Sequence, residues 1–211
     1  MQVDFSNQSK KSSVGEFPTA WSLPLRGCAR HPWPLSVKKR PPSIKIISGG
    51  QTGADRAALD WAIANDLPHG GWCPRGRLAE DGSIPEFYKL RETVSTEYAI
   101  RTERNVWDSD GTVIFTVGRE LAGGSKDTAT IATRLKKPWM HLSKAEAIDP
   151  PQELRLFIQT HGIKVLNIAG TRASREPLVG DFVTDTLRKV FADGFKAEPP
   201  VPTKPARKQR A

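Results

Sequence analysis

Cysteine is almost absent: the 211 residues contain only Cys28 and Cys73. Two distant cysteines make neither a disulfide framework nor a CxxC zinc motif, so a reducing, cytoplasmic setting is expected. No apolar run approaches the ~18 residues of a membrane-crossing helix, which argues against an integral membrane protein. The opening segment MQVDFSNQSKKSSVGEF has no apolar stretch of the kind a secretory signal needs. Two familiar glycine signatures are also missing. GGQTGADR is not GxxxxGK[ST], and no turn reads GxGxxG. A Walker-type triphosphatase and a standard dinucleotide fingerprint are thereby set aside. Apolar residues reach only 37%, lean for a chain that packs along its whole length.

What charge there is sits at the ends. Residues 1–43 hold seven Lys/Arg against two Asp/Glu, and residues 196–211 hold five against one. The net charge is +9, and the stretch 44–195 is balanced at 20 of each sign. Both ends are rich in Pro, Ser and Lys and bury too little apolar surface to offset the entropy of ordering, so they read as disordered basic tails. Weak contact with nucleic acid or another polyanion through these tails is the one such role expected. Trp21–Leu35 carries two Trp without a usable period. It reads either as a short docking arm or as sequence upstream of the true start.

Within 44–195, short apolar runs alternate with helix-period segments. Lys45–Ser48 is a strand ending in Gly49-Gly50. Ala54–Asn65 sets Leu59, Ala62 and Ile63 at helical spacing. Arg101–Trp107 ends another helix, followed by the turn chemistry of Asp108 to Gly111. Thr112–Val117 is a buried strand. Ser125–Lys136 is a helix capped by Ser125 or Asp127. Trp139–Leu142 is a short strand, and Pro151–His161 a helix with Gly162 just beyond it. Val165–Ala169 is a strand, and Glu176–Phe191 the last helix. Such alternation predicts an α/β single domain with a doubly wound, mostly parallel sheet. The stretch Leu67–Thr96 breaks the rhythm. An aperiodic loop that long in a compact domain is either functional or a misread element.

Three strands are each followed by small residues and a helix start. The first turn is Gly49-Gly50-Gln51-Thr52-Gly53-Ala54-Asp55-Arg56. The second, after a short linker, is Gly123-Gly124-Ser125-Lys126-Asp127-Thr128. The third is Gly170-Thr171-Arg172-Ala173-Ser174-Arg175. Glycine lets backbone approach a ligand closely. Helix N-termini favour anions. The hydroxyls of Thr52, Ser125, Thr128, Thr171 and Ser174 add donors, and Arg56, Arg172 and Arg175 can fork onto oxyanions. In a parallel sheet these turns share the carboxyl edge, where ligands bind. A phosphate-bearing small molecule is the expected partner.

The runs SGGQTGADRAALDWAI, GGWCPRGRLAEDGSIPEFY, RTERNVWDSDGTVIF, GGSKDTATIA and LNIAGTRASREP together resemble the putative molybdenum carrier family, within the circularly permuted YpsA-like proteins of the Rossmann-like nucleotide-binding group. The resemblance spans 44–195 and neither tail. It implies a Rossmann-like sheet, a circular permutation, self-association into a homo-oligomer, and binding of the molybdenum cofactor or a nucleotide-like phosphorylated ligand. Related phosphoribohydrolases carry GGxGTxxE with a catalytic Glu. Aligned on Gly123-Gly124, this chain has no acid at that place. Binding without turnover is therefore the leading expectation, and a nucleotide sensor or hydrolase using Asp55 the alternative.

Among the remaining candidates, the first three groups keep two readings each. Asp55 suits a helix N-terminus, or holds a ligand hydroxyl or a bridging metal. Arg75 and Arg77, with Asp81, form either a clamp over an anion or a solvated loop. Arg104 and Asn105 match the family pattern or lie on a surface helix face. Asp108 and Asp110 precede a strand and take turn roles. His69 and Cys73 are two ligands where structural zinc wants four, so no metal site is expected. His141 and His161 stand alone and read as structural.

Overall fold

The structure, a computed structural model, describes residues 44–192. The tail readings and Trp21–Leu35 lie outside the described residues. In chain order the elements are β1 (Lys45–Ile47), α1 (Ala54–Ala64), β2 (His69–Gly70), β3 (Trp72–Cys73), β4 (Leu78–Ala79), β5 (Gly82–Ser83) and β6 (Arg91–Glu92). Then follow α2 (Tyr98–Trp107), β7 (Gly111–Thr116), α3 (Gly124–Arg134), β8 (Trp139–Ser143), α4 (Pro150–His161), β9 (Val165–Gly170) and α5 (Val179–Phe191).

Five strands form one parallel sheet in the order β2-β1-β9-β7-β8. The last strand of the chain therefore lies in the middle, between β1 and β7. Ile46 pairs with Leu166, and Val113 with Ile168. β7 is buried over its full length, as a central parallel strand covered on both faces should be. Its side chains alternate. Val113 and Phe115 join the main apolar cluster with Leu154, Phe157, Phe182 and Leu187, while Ile114, also fully buried, is not part of it. α1 packs on α5 and α5 on α4, whereas α2 packs on α3. The helices thus form two groups, one against each face: a Rossmann-like α/β domain.

Local chemistry explains most element ends. Asp149 accepts from the Gln152 N–H at 3.2 Å and caps α4, and Gly162 closes that helix in a left-handed turn at φ 58°. Asp110 accepts the N–H groups of Lys164 and Val165 at 2.9 and 2.8 Å, fixing the start of β9. Asp108 accepts from Trp72 Nε1 at 2.8 Å.

Two helix starts differ from the sequence reading. Neither Ser125 nor Asp127 caps α3. Gly123 stands at the cap position and no side chain caps the helix, so Ser125 falls within the first turn. α5 begins at Val179 rather than Glu176. The N–H groups of Arg175 and Glu176 both donate to the Arg172 carbonyl, at 3.1 and 3.0 Å. This closes a separate turn before Pro177. The Glu176 side chain is drawn away to the end of β7.

The aperiodic stretch is built on its own small core. Leu59, Cys73, Ile84, Tyr88 and Leu90 cluster there. Arg77 acts as its internal brace, donating to the carbonyls of Ile84, Pro85 and Tyr88 at 2.7, 2.7 and 3.0 Å. These bonds to backbone replace the periodic pairing that the sequence lacks.

Candidate functional site

The carboxyl ends of β1, β9 and β7 are neighbours in the sheet, so the three glycine turns emerge side by side. Residues of all three line a single cleft of about 170 Å³. Gln51 and Asp55 come from the first turn, Gly124, Ser125 and Thr128 from the second, and Gly170, Thr171, Arg172 and Arg175 from the third. The fourth wall is the start of α2, with Tyr98, Arg101 and Thr102.

Close packing between the turns needs glycine. Gly53 has φ 79°, and a Cβ there would lie 2.5 Å from the Thr171 carbonyl oxygen. Gly49 serves another purpose. A Cβ on it would fall 1.6 Å from Arg101 Nη1. Only a bare α-carbon lets that guanidinium lie against β1 and reach Asp55.

Arg101 Nη1 donates to Asp55 Oδ2 at 3.1 Å, and both side chains are largely buried. Burial pushes the Asp55 carboxyl above its ordinary value. Arg101 and the Gln51 N–H pull in the opposite direction without cancelling it. The cleft thus contains a carboxyl that takes up a proton more readily than a free Asp.

Positive charge comes from Arg101, Arg172 and Arg175. The Arg172 guanidinium carbon lies 4.9 Å from the centre of the Tyr98 ring, a cation–π stack that places charge at the cleft wall. Arg175 reaches back to the second turn, where its Nη1 would be 3.0 Å from a Cβ on Gly123. Asp127 lies on the same wall.

A hairpin from the aperiodic stretch latches the first and third turns together. The Glu80 N–H donates to Gln51 Oε1 at 2.9 Å. The Glu80 carboxylate accepts from the Thr52 hydroxyl, and from the Ser174 hydroxyl at 2.5 Å. Desolvation by its neighbours raises this exposed carboxyl, but bonds from Ser174 and Thr52 hold it below its ordinary value. Glu176 does the same for β7 and the third turn. It accepts from the N–H groups of Val117 and Gly118, both at 2.8 Å, and from the Thr171 hydroxyl.

The sequence-expected residues thus divide. Gln51, Asp55, Gly124, Ser125, Thr128, Gly170, Thr171 and Arg172 line the cleft. Gly49, Gly50, Gly53 and Gly123 shape its turns from behind. Thr52 and Ser174 hold Glu80. Arg56 lies outside the lining: it forks onto Asp81, with Nη2 at 2.8 Å, and bonds the Gly50 carbonyl. Arg75 is exposed and also outside it. His69 and Cys73 stand on the strands of the aperiodic stretch and do not line the cleft, and burial raises the Cys73 thiol. Asn105 bonds the Trp72 backbone at 2.8 and 2.9 Å and is a scaffold residue. Sequence reasoning missed Tyr98, Arg101 and Thr102. Their i, i+3, i+4 spacing was a usable signal of one helix face, but it could not say what that face meets.

Residues 46–191 match the family model of the circularly permutated YpsA SLOG family. The chain belongs to that family. Among solved structures, the putative molybdenum carrier protein of Syntrophus aciditrophicus SB is similar to this SLOG-family chain at 46% identity, with a TM-score of 0.69. The match covers 73% of this chain and 98% of that one. A diphosphate reductase, the E-1-hydroxy-2-methyl-but-2-enyl-4-diphosphate reductase of Plasmodium falciparum, is similar at 12% identity and TM-score 0.32 over 80% of this chain and 59% of that one. That likeness is too slight to bear on the site. No curated protein matches the chain.

Proposed function

We propose that this SLOG-family domain is a carrier that holds a phosphate-bearing small ligand, the molybdenum cofactor or a nucleotide-like compound, without turning it over. One observation carries the reading. Three glycine turns and three arginines converge on one cleft. Converging helix starts and guanidinium groups suit a phosphate. The similar protein named a molybdenum carrier gives the cargo its first candidate.

The donor set fits an anionic organic group better than a metal held by side chains. Among the described residues no three His, Cys, Asp or Glu side chains gather at one point. A molybdenum carried here would be bonded to the ligand's own atoms. Arg172 and Arg175 would neutralise the phosphate, Ser125 and Thr171 would orient it, and Tyr98 would flank it. Aligned on Gly123-Gly124, the place of the phosphoribohydrolase Glu is taken by Thr130, and the nearest acid is Asp127, three residues earlier. The reading without turnover follows from the lack of a Glu matching that of the phosphoribohydrolases.

The test is to purify the full chain, denature it, and identify the released small molecules by mass spectrometry. A phosphorylated pterin or nucleotide at near-stoichiometric amount is expected. Empty protein whose melting is unmoved by nucleotides, pyrophosphate or molybdenum cofactor would overturn the proposal. Asp55, whose carboxyl burial raises above its ordinary value, favours one second reading, a hydrolase using it as general acid. That reading requires product from a nucleotide panel and its loss in Asp55→Asn.

A further inference from the structure

Three buried side-chain nitrogens have no hydrogen-bond partner among the described residues: Gln51 Nε2, His69 Nε2 and Arg101 Nε. Two of them, on Gln51 and Arg101, belong to the cleft. A buried donor left without an acceptor is costly, so two in one hollow need a common reason.

The orientation of Gln51 is fixed by its neighbours. Its Oε1 accepts two backbone N–H groups, from Thr52 at 3.0 Å and Glu80 at 2.9 Å. Backbone N–H groups only donate, so the oxygen must face them and the amide nitrogen must face elsewhere. Gln51 is 4% exposed, so water does not reach it freely. Arg101 is fixed likewise. Its Nη1 is held by Asp55 and its guanidinium lies against Gly49, and its Nε is left without an acceptor.

We infer that Gln51 and Arg101 are the specificity-determining residues of the cleft, selecting a ligand that places a hydrogen-free oxygen at the first turn. This rests on the carrier reading and sharpens it. Both unmet atoms are donors, so an amine or ammonium group there would face like with like, whereas a carbonyl or oxyanion oxygen satisfies a donor of either kind. The first and second turns follow β1 and β7, which flank β9, so they stand about 10 Å apart. Ser125 on the second turn and Gln51 on the first would therefore meet different atoms of one ligand, its phosphate and its oxygen, or two oxyanion positions.

The probes are inosine 5′-monophosphate, purine riboside 5′-monophosphate, which lacks the ring carbonyl, and inorganic pyrophosphate. Each is titrated calorimetrically into the full chain and into Gln51→Leu and Arg101→Lys, neither of which alters net charge. Thermal melting checks that each variant folds, and if Gln51→Leu does not, Arg101→Lys carries the test. If a ring carbonyl is the oxygen, the wild type prefers the inosine compound by about tenfold, and both variants erase the preference. If an oxyanion is the oxygen, pyrophosphate binding itself weakens about tenfold in both variants. If both variants leave every probe that binds unchanged, the inference is overturned while the carrier reading stands. Absence of binding by every probe overturns the inference, and the carrier reading falls with it only if the purified chain also releases no phosphorylated ligand and its melting is unmoved by molybdenum cofactor.

Discussion

Replacing Arg101 with Leu removes the only cation bonded to Asp55 among the described residues and leaves a carboxyl that is 4% exposed beside an apolar side chain. Breaking a buried pair by deleting one partner costs about 3–5 kcal/mol. Arg101 is itself 14% exposed, and Asp55 can escape part of the penalty by protonating, so about 3 kcal/mol is expected at pH 8. For a domain of this size that is a fall of about 6–12 °C in melting temperature. The pH dependence has a definite sign. Burial raises the folded-state Asp55 above its ordinary 3.8. Its protonated form therefore favours folding at low pH, and that contribution is lost as pH rises through the folded value. Without Arg101 the folded value rises further. The variant should melt close to wild type near pH 4 and fall progressively behind it toward pH 8. Adding Asp55→Asn should recover most of the deficit at pH 8 and none at pH 4. Chemical denaturation at several pH values, with melting curves alongside, measures all of this. A deficit of the same size at pH 5 and pH 8, or one below about 1 kcal/mol at pH 8, would refute the assignment of Asp55 and Arg101 as a coupled buried pair.

Gly49→Ala should act through the same guanidinium. Its Cβ would sit 1.6 Å from Arg101 Nη1, so the arginine must move, at an overpacking cost of about 1–3 kcal/mol. Differential scanning calorimetry reads the loss, and Gly49→Ala added to Arg101→Leu should cost less than in the wild type. Glu176→Gln should loosen the third turn, because neutral bonds replace charge-assisted ones from Val117 and Gly118, at about 1–2 kcal/mol. The Glu176 carboxyl is raised by partial burial but held lower overall by Thr171 and those N–H groups. Its contribution is thus present above its unfolded value and lost as pH falls through the folded one, so wild type and variant should converge in acid urea titrations. Amide exchange at Val117 and Gly118 that is no faster in the variant would count against this role.

The sheet was legible because a central parallel strand needs unbroken apolar sequence: TVIFTV and VLNIA announce themselves. The three turns were legible because glycine beside hydroxyl and arginine is a local pattern. Arg56 lies outside the cleft lining for a reason that local sequence does not carry: a charge near a glycine turn looks alike whether it faces a ligand or a partner such as Asp81, and that partner lies 25 residues away. Thr52 and Ser174 were likewise read as open donors, though a carboxylate from the aperiodic stretch holds both. Ser125 and Asp127 are good capping residues, yet the tight φ of 50° at Gly123 moved the helix start.

Local order along the chain was thus decided by short-range physics: the spacing of apolar residues, the turn glycines and the ends of helices. The position of β9 between β1 and β7 was not, since pairing partners distant in sequence are chosen by how whole faces bury together. That placement brings the third turn between the other two. It also brings α2 across to close the cleft, so that Arg101 meets Asp55 over a separation of 46 residues. Which donors stay unmet, Gln51 Nε2 and Arg101 Nε among them, depends on every neighbour at once, and so only the assembled fold could reveal it.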